Sequence, residues 1–163
     1  MLIERELEQK VGAAFAEALP KGTRIALSRA VEDEGEIARG DPGADCLCAV
    51  ASSFRAHAAF SLPMLSVSVA VTIATPVERD PTGAAHEAAV EAVAALLSRW
   101  HYRGAEMSEA LSTGGFSAAE LKMSGGTGRT LDRERGIRTD TATFDVTGSE
   151  IFTDENEKDK END

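Results

Sequence analysis

Basic residues, aromatic residues and cysteines are scarce in this sequence, and long apolar runs are missing. Of 163 residues, 17 are Lys or Arg and 28 are Asp or Glu, which gives a net charge of −11. A field of that sign repels phosphate backbones and anionic lipids, so we expect no specific nucleic-acid binding and no membrane association. The apolar stretches also fall short of the roughly 20 residues that a membrane-spanning helix needs. Met1 leads into Glu4, Arg5 and Glu6 without an apolar signal core, and we expect an intracellular protein.

The two cysteines, Cys46 and Cys48, form no zinc-binding pattern. They are two positions apart in a run with strand-like alternation, so both side chains point to the same face. A structural zinc site needs a second pair of ligands, and the sequence has no second Cys pair. We therefore expect buried free thiols.

The histidines, His57, His86 and His101, do not have the helical spacing of a metalloprotease motif. We expect no metal site and no bound cofactor. His86 lies in the first turns of a predicted helix and is interpreted as an exposed surface residue. His101 follows that helix and is interpreted as a partner of its C-terminus.

No catalytic set emerges from the sequence. A Ser-His-Asp or Cys-His arrangement would have to be chosen freely from the whole chain. Carboxylates are abundant, but they lie in acidic stretches that are expected to be exposed, where they contribute little catalysis. The sequence gives no support for an enzyme.

Hydrophobic residues make up 42% of the chain and charged residues 28%, as in ordinary globular domains. Apolar positions three or four apart predict a helix over 1–19 and a second helix from an Asp80 or Thr82 N-cap to about Trp100. Alternating and apolar runs predict strands at 25–28, 45–51, 65–73, 116–123 and 137–146. Alternation is strict over 65–73 and its second face is small and lightly polar, which is typical of a strand paired on both sides.

These elements predict one α+β (α/β) domain over residues 1–150, with a mixed, mainly antiparallel sheet of four to six strands flanked by two main helices. The last two strands are expected to form a hairpin with a long loop at 124–136. Residues 32–43 are acidic and contain Gly and Pro, which predicts an exposed loop. Residues 151–163 are predicted to be an acidic, flexible tail, since 154–163 contain six acids, two lysines and no apolar residue.

The predicted hairpin loop has two notable features. Its glycine-rich start, 124–130, is similar to a phosphate-binding loop, although it lacks the Gly-Lys-Ser/Thr sequence. Because of this similarity, a regulatory module that binds a small molecule or an anion is the alternative function. The charges in and around the loop are mostly positive: Lys122, Arg129, Arg133, Arg135 and Arg138 are opposed by Asp132 and Glu134. This is either a solvated loop or a contact with another subunit or a tail tube.

The order of elements resembles a bacteriophage protein family. The resemblance covers residues 1–150 and includes the turn Asp80-Pro81-Thr82-Gly83, the helix opening His86-Glu87, and the strand end Thr143-Phe144-Asp145-Val146-Thr147-Gly148. It is to the tail terminator and related tail-completion or neck proteins of long-tailed phages and prophages.

The resemblance implies a structural virion protein without catalytic residues. It implies a homo-oligomeric ring, typically a hexamer, at the head-proximal end of the tail tube, where it ends tube polymerisation and contacts the tail tube protein and the head-tail connector proteins. The corresponding location is the virion tail or neck, with the host cytoplasm during assembly, and DNA passes through the ring. The loop 124–136 would reach a neighbour or the tube, and 32–43 would be a second interface loop.

Overall fold

Three helices and five strands are formed by residues 2–27, 46–56 and 64–151, the part of the chain that this computed structural model describes. The helices are α1 (Leu2–Ala18), α2 (Ala84–Tyr102) and α3 (Gly104–Leu111). The strands are β1 (Thr23–Leu27), β2 (Cys46–Ala56), β3 (Met64–Pro76), β4 (Phe116–Asp132) and β5 (Ile137–Glu150). The predicted α+β class is confirmed. The predicted loop 32–43 lies outside these residues, as do His57 and residues 152–163 of the predicted tail.

The strands form a mixed sheet in the order β1-β2-β3-β5-β4. Only the β1–β2 pair is parallel. Strand β3 is central and pairs with β2 on one side and with β5 on the other, which confirms the prediction for the alternating run at 65–73. None of the described helices is long and apolar enough to cross a membrane.

The core lies on one face of the sheet, beneath the helices. Strand β3 contributes its alternate residues Val67, Val69 and Val71, which are fully or almost fully buried. The helices cover them with apolar side chains that recur every three or four positions, chiefly Leu7, Val11, Phe15, Val93, Leu97 and Trp100. Each such side chain stabilises the fold by about 1.5–3 kcal/mol through removal from water. The opposite face carries small polar groups, and the hydroxyls of Thr72 and Thr141 lie 3.1 Å apart there. It also carries a second, smaller cluster of buried apolar residues, Ala26, Leu47, Ala74 and Ile137.

A buried carboxylate joins α1 to β2. Glu8 lies on the core side of α1, and its Oε1 accepts hydrogen bonds from the backbone N–H and the hydroxyl of Ser52, both at 2.8 Å. The carboxylates are predicted from the sequence to be exposed, and Glu8 is an exception because Ser52, on a strand 44 residues away, supplies both donors.

Helix α3 is not predicted from the sequence. It begins at Gly104, and only Arg103 separates it from the end of α2. In a sequence, a glycine at this place indicates the end of a helix and not the start of another. Glu106 in its first turn accepts hydrogen bonds from Arg99 at 2.7 Å and Arg103 at 3.1 Å. These hydrogen bonds, led by that from Arg99, hold the pKa of the Glu106 carboxyl below its ordinary value.

The predicted hairpin is confirmed, but the prediction of a long loop at 124–136 is wrong. Strand β4 continues to Asp132, and β5 begins at Ile137, so only residues 133–136 form the turn. The hairpin does not project from the body, because β5 pairs with β3 from Ile137 opposite Pro76 onward. The outer half of β4 is exposed on both faces, so its sequence shows no alternation that would mark it as a strand.

Cys46 and Cys48 are free thiols and both are buried, as predicted. Burial, with a smaller contribution from the neighbouring Cys46, raises the pKa of Cys48 to about 12. At pH 8 only about one Cys48 in ten thousand is therefore the reactive thiolate.

We expect the native protein to resist thiol reagents at pH 8. An aromatic disulfide reagent should label Cys48 at least about a hundredfold more slowly in buffer than in strong denaturant, where both thiols react. Mass spectrometry of the labelled peptides measures this. Equal labelling rates in the two conditions would contradict the burial of Cys48.

Gly148 is predicted to be intolerant of any side chain. A Cβ at this position would lie 2.0 Å from the Ser117 carbonyl oxygen and 2.8 Å from the Phe116 ring. Gly148→Ala should destabilise the fold by about 1–3 kcal/mol or more, the usual cost of overpacking. The control is Gly125→Ala on β4, where a Cβ meets nothing within 4 Å. Urea unfolding measures both, and equal stability of the two variants would contradict the packing around Gly148.

Candidate functional site

The most exposed regular element is the outer half of β4. Residues 122–131 are all exposed, whereas Leu121 just before them is buried under the helices. Strand β4 lies at the edge of the sheet, and no strand of the described chain pairs with its outer side. We call residues 122–135, the outer half of β4 and the start of the turn, the basic edge.

The turn at the end of the basic edge is held by Asp132. Its Oδ1 accepts hydrogen bonds from the backbone N–H of Glu134 and Arg135, both at 3.1 Å, and its Oδ2 accepts one from the Arg135 side chain at 2.7 Å. The Arg135 hydrogen bonds hold the pKa of the Asp132 carboxyl below its ordinary value. Gly136 closes the turn with φ of 65°, a conformation that favours glycine.

The structure brings four of the five predicted contact residues together. Lys122, Arg129, Arg133 and Arg135 all belong to the basic edge and are exposed. Arg129 also approaches a carboxylate of β5, with its Nε 3.6 Å from Asp140 Oδ2. Four cations against Asp132 and Glu134 leave this surface positive on a molecule whose net charge is −11.

Arg138 has a different role from the other four. Its side chain is only 15% exposed and lies 3.8 Å from the Asp80 carboxylate. It donates hydrogen bonds to the backbone oxygens of Asp80 and, at 2.9 Å, of Pro81. Arg138 therefore fastens the loop before α2 to the sheet, and its guanidinium is not offered to a partner.

Asp80, in the loop that Arg138 contacts, stabilises the start of α2. The helix begins at Ala84 after Gly83, which has φ of 79°, so neither Asp80 nor Thr82 occupies the N-cap position predicted for them. The Asp80 carboxylate nevertheless accepts hydrogen bonds from the backbone N–H of Ala85 at 3.2 Å and of His86 at 2.9 Å. It thus satisfies two of the free amides at the helix start.

The interpretation of His86 as a surface residue is wrong, because its side chain is fully buried. Its Nδ1 lies 2.8 Å from the Thr75 hydroxyl and its Nε2 lies 2.5 Å from Asp140 Oδ2. Thr75, His86 and Asp140 have the composition of a nucleophilic triad. Thr75 has no exposed surface, however, so a substrate could not reach its hydroxyl. The three groups instead join α2 to β3 and β5.

His101 lies within the last turn of α2, not after the helix as predicted, because α2 continues to Tyr102. Its Nδ1 is 3.4 Å from the carbonyl oxygen of Leu121, so the ring contacts β4 at the point where the exposed half begins. Within the described residues, no group of three or more His, Cys, Asp or Glu side chains is placed to hold a metal ion.

A cleft of about 370 Å³ separates α2 from the sheet beside the basic edge. Its wall is Val90, Val93 and Leu97 of α2, and its floor includes Ile73 and Ala142. Met123, 43% exposed, stands at the boundary between this cleft and the basic edge. The polar groups of the lining are Ser98, His101, Tyr102, Asp140 and Thr141. An open, mainly apolar cleft of this size has room for a large side chain or a small molecule.

The structure of the glycine-rich segment 124–130 does not support the interpretation that it binds an anion. It is part of β4 and pairs with β5 through Gly125, Gly126 and Thr127. In the described chain the glycines with positive φ are Gly22, Gly83 and Gly136, so 124–130 contains no backbone turn that would gather amides around an anion. Gly126 instead allows close strand contact, since a Cβ at this position would lie 2.6 Å from the Thr141 carbonyl oxygen.

Comparison with known proteins adds no identity to this site. No family model matches the chain, and no curated protein is similar to it. Function is therefore inferred from the basic edge, the cleft and the charge of the chain itself.

Proposed function

We propose that the protein is a structural subunit of a phage or prophage virion, a tail terminator or neck protein. In this role, copies of the chain form a ring at the head-proximal end of the tail tube. The ring ends tube polymerisation and joins the tail to the head connector. The role requires no catalytic residue and no cofactor, and it places the protein in the virion after assembly in the host cytoplasm.

The outer side of β4, which pairs with no strand of the described residues, is the observation that carries the proposal. Strand β4 has 17 residues, far more than the 5 residues of β1 at the other edge of the sheet. Long exposed edges offer a row of free N–H and C=O groups, and proteins usually cover them or pair them with another chain. A subunit that functions in an assembly has such a partner.

The charge distribution favours association between unlike surfaces. The basic edge is positive, whereas the whole chain carries −11. Two copies would repel each other if their basic edges met, but a basic edge would attract an acidic surface elsewhere on a neighbour. Contacts between two different patches are heterologous, and they build rings when the rotation closes.

The negative charge of the body also suits the lumen of such a ring. A DNA duplex that passes through a channel of like charge is not held by the wall, because no phosphate contacts form. The element order that resembles tail terminator and neck proteins, together with a sheet flanked by helices, supports the same role.

The mass of the protein in solution tests this proposal. Light scattering after size exclusion should give about 100 kDa for a six-membered ring, from a chain mass of 17.2 kDa. Electron microscopy of the same fraction should show closed rings. Added to polymerising tail tube protein, the ring should shorten the tubes. A single-chain mass at every concentration, with no effect on tube length, would contradict the proposal.

Reversal of charge on the basic edge should weaken the ring. Lys122→Glu together with Arg133→Glu places two carboxylates where a neighbour's acidic surface is expected, so the average mass should fall at low salt. The matched control, Lys10→Glu with Lys21→Glu, changes the charge equally at exposed positions away from β4. Equal loss of mass in both variants would indicate a general charge effect and contradict a specific role of the edge.

A further inference from the structure

The cleft and the basic edge form one continuous surface, because Met123 belongs to both. The cleft offers apolar contacts from Val90, Val93 and Leu97. The edge offers several cations and backbone groups that pair with no other strand of the described residues. A fitting occupant is therefore an extended segment with an apolar side chain at one end and acidic residues along the rest.

The chain contains one such segment, residues 152–163, which lies outside the described part. Its sequence begins with Phe152, the last large apolar residue of the chain, and continues with six acidic residues and two lysines. Its charge is opposite to that of the basic edge. An apolar cavity of about 150 Å³ accepts a benzene-sized ring, so a cleft of about 370 Å³ has room for a phenylalanine side chain.

The same chain cannot place Phe152 in its own cleft. The backbone N–H of Ile151 donates a hydrogen bond to the Gly115 carbonyl at 2.9 Å, which holds the end of β5 beside the start of β4. The cleft floor at Ala142 is eight residues back along β5 from Glu150, a distance of about 27 Å. Phe152 follows Ile151 directly, so an occupant with this residue must come from a second copy.

We propose that residues 152–163 of one copy bind the neighbouring copy, with Phe152 in the cleft and the acidic residues along the basic edge. This proposal rests on the proposed function, and it identifies the two surfaces that would join neighbouring subunits of the ring. The contact is heterologous, because the end of β5 on one copy meets the outer half of β4 on the next.

The lengths of the two partners agree. From Met123 to Asp132, β4 extends nine residues, which is about 30 Å. The eleven residues after Phe152 span up to about 36 Å when extended. With Phe152 in the cleft, the acidic run therefore reaches Arg129 and continues to Arg133 and Arg135 in the turn.

The cleft contains a carboxylate of its own, Asp140, which already pairs with Arg129 and contacts the His86 ring. Its Oδ2 lies 2.5 Å from His86 Nε2 and 3.6 Å from Arg129 Nε. Asp140 therefore does not repel an acidic segment as a free carboxylate would.

Peptide binding tests this contact without depending on a ring. A fluorescein-labelled peptide of residues 150–163 is titrated with the full chain carrying Phe152→Ser, so that no neighbour's Phe152 fills the cleft, and anisotropy is measured. We expect saturable binding that weakens at high salt. A Phe152→Ser peptide should bind at least about tenfold more weakly, through loss of the buried ring. Adding Met123→Glu to the chain should also weaken binding at least about tenfold, whereas Ala13→Glu, the same charge change on exposed α1, should leave binding unchanged.

Equal binding of the two peptides, or no binding, would overturn the contact. Uptake of an apolar dye by the cleft without uptake of the peptide would have the same meaning. Light scattering distinguishes failure of this contact from failure of the proposed ring. If the natural chain and Phe152→Ser form rings of equal mass, the ring exists without this contact. If the natural chain stays a monomer but the peptide binds as expected, the contact is retained and the ring is wrong.

Discussion

The pairing of β3 with β5 along almost their full lengths determines where the rest of the molecule lies. Because β2 occupies the other side of β3, strand β4 can add only outside β5, at the edge of the sheet. The helices bury the apolar face of β3, and α3 covers the start of β4. The outer half of β4 is left uncovered, and the cleft lies beside it, between α2 and the sheet. The candidate interface is thus a consequence of the topology.

Periodicity in the sequence predicts the elements that have one buried face. The stripe of α1 and the alternation of β3 mark helix and strand because half of each surface touches the core. The fold class, the central position of β3 and the buried thiols follow from such patterns. Periodicity does not predict the outer half of β4 as a strand, because both of its faces are exposed to solvent and its glycines are typical of a loop.

The candidate site is less predictable, because its parts are distant in the chain. The cations of the basic edge are close together in the sequence and are found there, but Arg138, predicted with them, binds a loop 58 residues away. His86 is buried on α2 because Thr75 of β3 and Asp140 of β5 supply its partners, and its local sequence gives no indication of them. The cleft is formed by α2, β3, β4 and β5 together, so it exists only after the sheet has assembled.

Amide hydrogen exchange along β4, measured against protein concentration, tests most directly whether the uncovered edge is an interface. Outward amides of 122–132 have no partner strand within the described chain, so in dilute solution they should exchange quickly. If a second copy covers the edge, the peptide that contains these residues should gain protection as copies assemble, while α1 changes little. Exchange of 122–132 that stays fast while assembly protects other segments would contradict the account.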